Sequence, residues 1–146
     1  MNLLQNVKVD QILGYYAAGT TKRTSDIIDM ANYDGVMFVF ELGTVLENGT
    51  IDCFVEQNTA NATSGMARLA TTTVHTVTAA NATAAKSAIV VDVFQPQERY
   101  LQANITPAVA NAVILGITAI RYSGRVKPDA NSGLLKSTQL ISPAQA

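Results

Sequence analysis

"GVMFVFELGTVLENGTIDCFVEQ", residues 35–57, decides the architecture of this chain. Val36 to Leu42 is a short β-branched and aromatic run between Gly35 and Gly43, so it reads as a strand rather than a helix. Both of its faces are apolar until Glu41, which predicts a central strand covered on both sides. Asn48-Gly49 then offers the residue pair that best tolerates the backbone of a tight hairpin turn. Beyond the turn, Ile51, Cys53 and Val55 fall on one face while Asp52, Phe54 and Glu56 fall on the other, the period of a half-buried antiparallel strand.

The same period recurs on both sides of this hairpin. Downstream, Ser87 to Phe94 sets Ile89, Val91 and Val93 against Val90, Asp92 and Phe94. Pro96 stops that strand because it supplies no ladder donor. Tyr100 to Thr106 alternates again, Thr106-Pro107-Ala108 is read as a turn, and Val113 to Tyr122 is the last clear strand. Upstream, Asp26 to Met30 is a short strand followed by the turn residues Asn32-Tyr33-Asp34-Gly35. Less regular is the stretch 58–86, where the β-branched residues of Leu69 to Val77 favour a strand. Ala79 to Lys86 fits one or two helical turns and equally a polar loop. Together these runs predict an all-β antiparallel sandwich, or a jelly-roll-like barrel, of about seven or eight strands. Residues 1–24 are expected to be an N-terminal arm or an edge strand with a short helical turn, residues 25–122 the β-sandwich, and residues 123–146 an irregular tail that could lie on a neighbour.

Composition narrows the function classes. Among 146 residues, 48% are hydrophobic and 14% charged, against roughly 25% charged in an average globular protein. So few charges protect a surface poorly against association. A net charge of −1 gives no general attraction to nucleic acid or to anionic membranes. The longest apolar run, Ala112 to Ile120, is far shorter than the ~20 residues of a spanning helix. The first residues lack the basic and continuous apolar regions of a signal peptide. Cys53, the single cysteine, excludes an internal disulfide and fits a reducing compartment.

Little in the chain points to catalysis, and no enzyme activity, metal or cofactor is expected. His75 and Cys53, one of each, cannot assemble a zinc site of the usual nitrogen and sulfur ligands. They could form a nucleophile pair, but Cys53 falls on the core face of its strand. There is no G-x-S-x-G elbow and no glycine-rich phosphate loop after a strand.

Four blocks of the sequence carry a family likeness: "NYDGVMFVFELGTV", "FVEQN", "IVVDVFQPQERYLQANI" and "NAVILGITAIRYSGRVKP". Over roughly residues 25–128 the chain resembles small virion-associated proteins of tailed bacteriophages and prophages, encoded among head genes, of the capsid decoration (cement) kind. The resemblance implies a homo-oligomeric structural protein, made in the host cytoplasm, that binds the outer capsid surface. Its partners would be the major capsid protein and itself, as dimer or trimer, with no nucleic acid or membrane. A head–tail joining or tail component, and a carbohydrate-binding or adhesin-like sandwich, are the alternatives.

Candidate contact residues are Tyr15 and Tyr16, as aromatic anchors of the arm, and Arg121, Arg125 and Lys127, as a basic cluster after the last strand. Arg99, at the corner after Pro96, is a further candidate contact residue and is expected first to meet a carboxylate such as Asp92 or Glu41, or a loop backbone. Removing residues 1–20 is expected to cost shell binding and leave the fold intact.

Overall fold

A computed structural model describes residues 2–69, 74–125 and 130–138. A 3-10 turn at Leu3–Gln5 leads into β1 (Val7–Leu13) and β2 (Tyr16–Gly19), followed by β3 (Arg23–Asp29), β4 (Gly35–Val45) and β5 (Thr50–Asn58). Two very short strands, β6 (Ala67–Arg68) and β7 (His75–Thr76), precede helix α1 (Ala79–Ala84). The chain then runs through β8 (Ser87–Phe94), β9 (Tyr100–Ala108) and β10 (Ala112–Tyr122). One antiparallel sheet, sheet A, has the order β1-β10-β4-β8, with β2 also on β10. The other, sheet B, has the order β3-β9-β5-β6, with β7 also on β5. The two sheets pack as a sandwich and do not close into a barrel.

The core lies between the sheets. Val36, Phe38 and Phe40 of β4 and Ile117 of β10 face Val55, Leu101 and Ile105 from the other layer, all without solvent exposure. Their alternation follows from the two-residue period of a strand, which sends every second side chain inward. β4 is central in its sheet, as its composition predicts, but only one of its faces is covered. Met37, Val39 and Glu41 look outward and are half-buried.

Other expectations change where a distant strand ends or begins. Pro107 does not turn the chain; it sits inside β9, opposite Ile51. Pairing between β3 and β9 stops at Arg23–Ile105, so Pro107 has a strand neighbour on one side only and its missing N–H interrupts no second ladder. The turn comes later, at Val109, with φ 66°. Thr78 caps α1, its hydroxyl accepting from the Asn81 N–H at 3.4 Å, and Ala85 ends the helix in the left-handed region. Of the strand expected over Leu69 to Val77, only His75–Thr76 is strand among the described residues, and residues 70–73 lie outside them.

Of the arm or edge strand expected over residues 1–24, the edge strand is what forms. β1 and β2 are two pieces of one edge that run along β10, broken at Gly14 and Tyr15. Val7, Ile12 and Leu13 are buried. Asp10 takes an inward position opposite Ala119, where it meets Arg121 of β10. Both side chains are nearly inaccessible, at 5% and 9% exposure, and the guanidinium donates to one carboxylate oxygen through two nitrogens. Arg121 also donates to the Asp29 carbonyl and lies 5.1 Å from the Tyr33 ring centroid.

Within the C-terminal segment, Asn131 and Ser132 pack on the edge of the chain's own sandwich. The Gln11 N–H donates to the Ser132 carbonyl at 3.0 Å, the Ser132 N–H to the Val9 carbonyl at 3.2 Å, and the Val9 N–H to Asn131 Oδ1 at 2.9 Å. Gly133, at φ 73°, follows; a Cβ there would stand 2.9 Å from that of Gln11. These bonds cap the otherwise open edge of β1.

Candidate interaction surface

The two outer faces of the sandwich differ in kind. On sheet B the outward side chains bind one another. Arg68 holds Asp52 through two 2.8 Å hydrogen bonds, and its guanidinium carbon lies 4.2 Å from the Phe54 ring centroid. The Asn104 amide donates to Glu56 Oε2 at 2.9 Å and accepts from the Thr24 hydroxyl at 2.8 Å. Gln102 donates to the Ser25 carbonyl at 2.8 Å. This face is a hydrogen-bonded polar network in which Gln102 Oε1 has no partner among the described residues, and Lys22 adds a second cation 5.1 Å from the Phe54 centroid.

Sheet A presents an apolar band instead. Its register lines up Val9, Ile120, Met37 and Asp92 in one row, and Gln11, Thr118, Val39 and Val90 in the next. A further row holds Tyr122, Gly35 and Phe94. Val9, Met37, Val39 and Ile120 are half-buried by one another, while Val90 and Phe94 are 54% and 62% exposed. Polar groups sit at its margins: the Thr118 hydroxyl lies 2.7 Å from Gln11 Oε1 and 3.1 Å from Glu41 Oε1.

Gly35 shapes this face. The Tyr122 ring lies flat across it, so a Cβ at Gly35 would stand 2.2 Å from the ring. Crossing the bare position, the Tyr122 hydroxyl donates to Asp92 Oδ1 at 2.8 Å. Desolvation, and then the bond to Asp92, push the phenol up to about 12. Tyr122 therefore remains a neutral donor at physiological pH and joins β10 to β8 across β4.

The contact residues named from the sequence scatter. Tyr15 is exposed at the break between β1 and β2. Tyr16 packs against the core, with the Arg23 guanidinium 4.1 Å from its ring centroid, and so covers its own sandwich. Arg121 points inward to Asp10, which removes it from any basic surface cluster. Arg125 is exposed, its backbone N–H bonded to the Asn32 carbonyl at 2.9 Å, and Lys127 lies outside the described residues.

Arg99 does meet a carboxylate, but it is Asp29 of β3, through two 2.8 Å bonds, and not Asp92 or Glu41. These bonds, with the Met30 N–H donating to the Arg99 carbonyl at 2.8 Å, tie the corner after β8 to the end of β3. An open cleft of about 380 Å³ lies beside it, lined by Tyr33, Asp34, Gln95, Pro96 and Glu98 among others. The Arg99 guanidinium holds the Asp29 carboxyl below its ordinary value, despite partial desolvation. The contribution of this pair is therefore present above the unfolded carboxylate value, about 3.9, and is lost as pH falls through the lower folded value. Asp29→Asn should make the denaturation midpoint less sensitive to acid over that range. The change will be small, because both partners are largely exposed. Midpoints measured at pH 7 and pH 3 for both proteins provide the check.

Neither candidate nucleophile gains an activating environment. Cys53 is buried on the core face, and desolvation pushes its thiol far above the ordinary value, so it stays protonated. His75 is exposed at the rim of a second cavity of about 320 Å³, walled by Leu42, Val45, Ile51, Val77 and Ile89. Among the described residues no three His, Cys, Asp or Glu side chains come together to hold a metal, and no helix is long and apolar enough to cross a membrane.

Fold and surface define an antiparallel β-sandwich with one polar outer face and one apolar outer face. No protein-family model matches the chain, and no curated protein matches it.

Proposed function

We propose that this protein is a structural component of a tailed-phage virion that decorates and stabilises the capsid by binding the major capsid protein and itself. The observation that carries the reading is the apolar band on the outer face of sheet A. Val9, Met37, Val39, Val90 and Ile120 form a continuous strip that nothing in the chain covers among the described residues. Scattered apolar residues are ordinary at a protein surface, but a contiguous strip across four strands favours burial against another protein. Of the sequence blocks that resemble virion decoration proteins, "YDGVMFVFELG" supplies Met37 and Val39 of this strip and "ITAIRYSGRVKP" supplies Ile120.

The test uses purified expanded shells that lack the protein. Wild-type protein should bind many copies spread over the shell. Val39→Asp, which sets a charge in the middle of the strip, should bind at least about tenfold more weakly, because burying an unpaired carboxylate costs more than the 1.4 kcal/mol of one decade. A wild-type protein that does not bind shells, or that occupies one vertex only, overturns the reading in favour of another virion position or another role.

A further inference from the structure

We propose that β8 is a self-association edge, through which two copies of this chain pair antiparallel about a two-fold axis and join their A sheets into one. The proposal deepens the self-binding part of the virion reading and rests on it only for biological context.

The other edges of the sandwich are protected among the described residues. The β1 edge is capped by Asn131 and Ser132, and that of β5 by β6 and β7. β3 carries Arg23, Asp26 and Asp29, charges that discourage strand addition. β8 has none of these devices. It is eight residues long, pairs among the described residues with β4 alone, and its sequence "SAIVVDVF" holds a single charge, Asp92. Its inward residues Ile89, Val91 and Val93 pack against the core yet stay half-buried, so the sandwich is open along this side.

A second copy suits this edge because the strand is self-complementary in one register. Partners across an antiparallel pair share a face, so a two-fold axis must pass through a residue and not between two. Centring it on Val91 sets Ile89 against Val93 and Val91 against its own counterpart, which makes the inward face wholly apolar. The outward face then sets Phe94 over Ala88 and Asp92 opposite Val90. Centring on Val90 would place Ser87 against Val93, and centring on Asp92 would oppose two carboxylates. In the favoured register both apolar strips lie on the same side of the joined sheet, doubling the surface described above.

Val90 gives a test in which two charges of opposite sign are placed at one exposed position. In the proposed register Val90→Asp faces Asp92 of the other copy twice, whereas Val90→Lys makes two ion pairs. Sedimentation of the full-length chain over a concentration series reads the outcome, with circular dichroism melts showing that each variant is folded. Wild-type protein and Val90→Lys should sediment as dimers at concentrations where Val90→Asp is a monomer, a shift of about tenfold or more in the dissociation constant. A monomeric wild type overturns the proposal, as does a Val90→Asp protein that dimerises like wild type. A folded Val90→Lys protein that dissociates as readily as Val90→Asp overturns the register. Shell binding is measured separately. A monomeric protein that still decorates shells would end this inference and leave capsid binding standing, while a dimer that ignores shells would do the reverse.

Discussion

Deletion of residues 1–20 is expected to abolish cooperative folding. The segment supplies β1 and β2, and with them the buried side chains of Val7, Ile12 and Leu13. Burial of each such side chain contributes roughly 1.5–3 kcal/mol. The deletion also removes Asp10 and leaves Arg121 without its ion-pair partner, in a position that is 8% exposed. Leaving one member of a buried pair alone costs about 3–5 kcal/mol. Together these losses are comparable with the whole stability of an ordinary domain, about 5–15 kcal/mol. The truncated chain should lack a sharp thermal transition by circular dichroism. A transition near that of the full-length protein would mean that β1 is a dispensable arm.

The Asp10–Arg121 pair itself has the second large expected effect. Arg121→Met should lower stability by about 3–5 kcal/mol, since the Asp10 carboxylate would stay buried and lose its only charged partner among the described residues. Asp10 Oδ1 already has no hydrogen-bond partner among the described residues, so the protein has little with which to compensate. Asp10→Leu combined with Arg121→Met should recover most of the loss, because an apolar pair carries no desolvation penalty in the same space. Equilibrium urea unfolding of the two single variants and the double variant measures the coupling. Two single losses that simply add in the double variant would show that the side chains do not act as a pair.

Much of the sandwich is legible in the sequence because a strand encodes its faces locally. β4, β5, β8 and β10 lie close to where alternation, β-branching and turn residues place them. β1 is harder to read. Asp10 occupies an inward position and breaks the apolar period, and the residue that explains it, Arg121, is 111 positions away. Arg99 has the same difficulty, its carboxylate partner lying 70 positions upstream on β3. Pro107 reads as a turn because the start of β3 at Arg23, which makes it harmless there, has no local signal.

By itself the sequence determined an all-β antiparallel fold, sandwich or barrel, the positions of its main strands and a short supply of surface charge. Only the tertiary structure decided which arginines are internal, that β1 and Ser132 form and close one edge, and that β8 leaves another open. It also decided that one outer face is a hydrogen-bonded polar network while the other carries an apolar band. The reason is the range of the forces involved. Side-chain period and turn chemistry act between residues a few positions apart. Strand order, ion pairing and the cover over a sheet face depend on which distant segment arrives beside it, and an apolar run such as that of β4 reads the same whether its second face meets the chain's own core or is left open to another molecule.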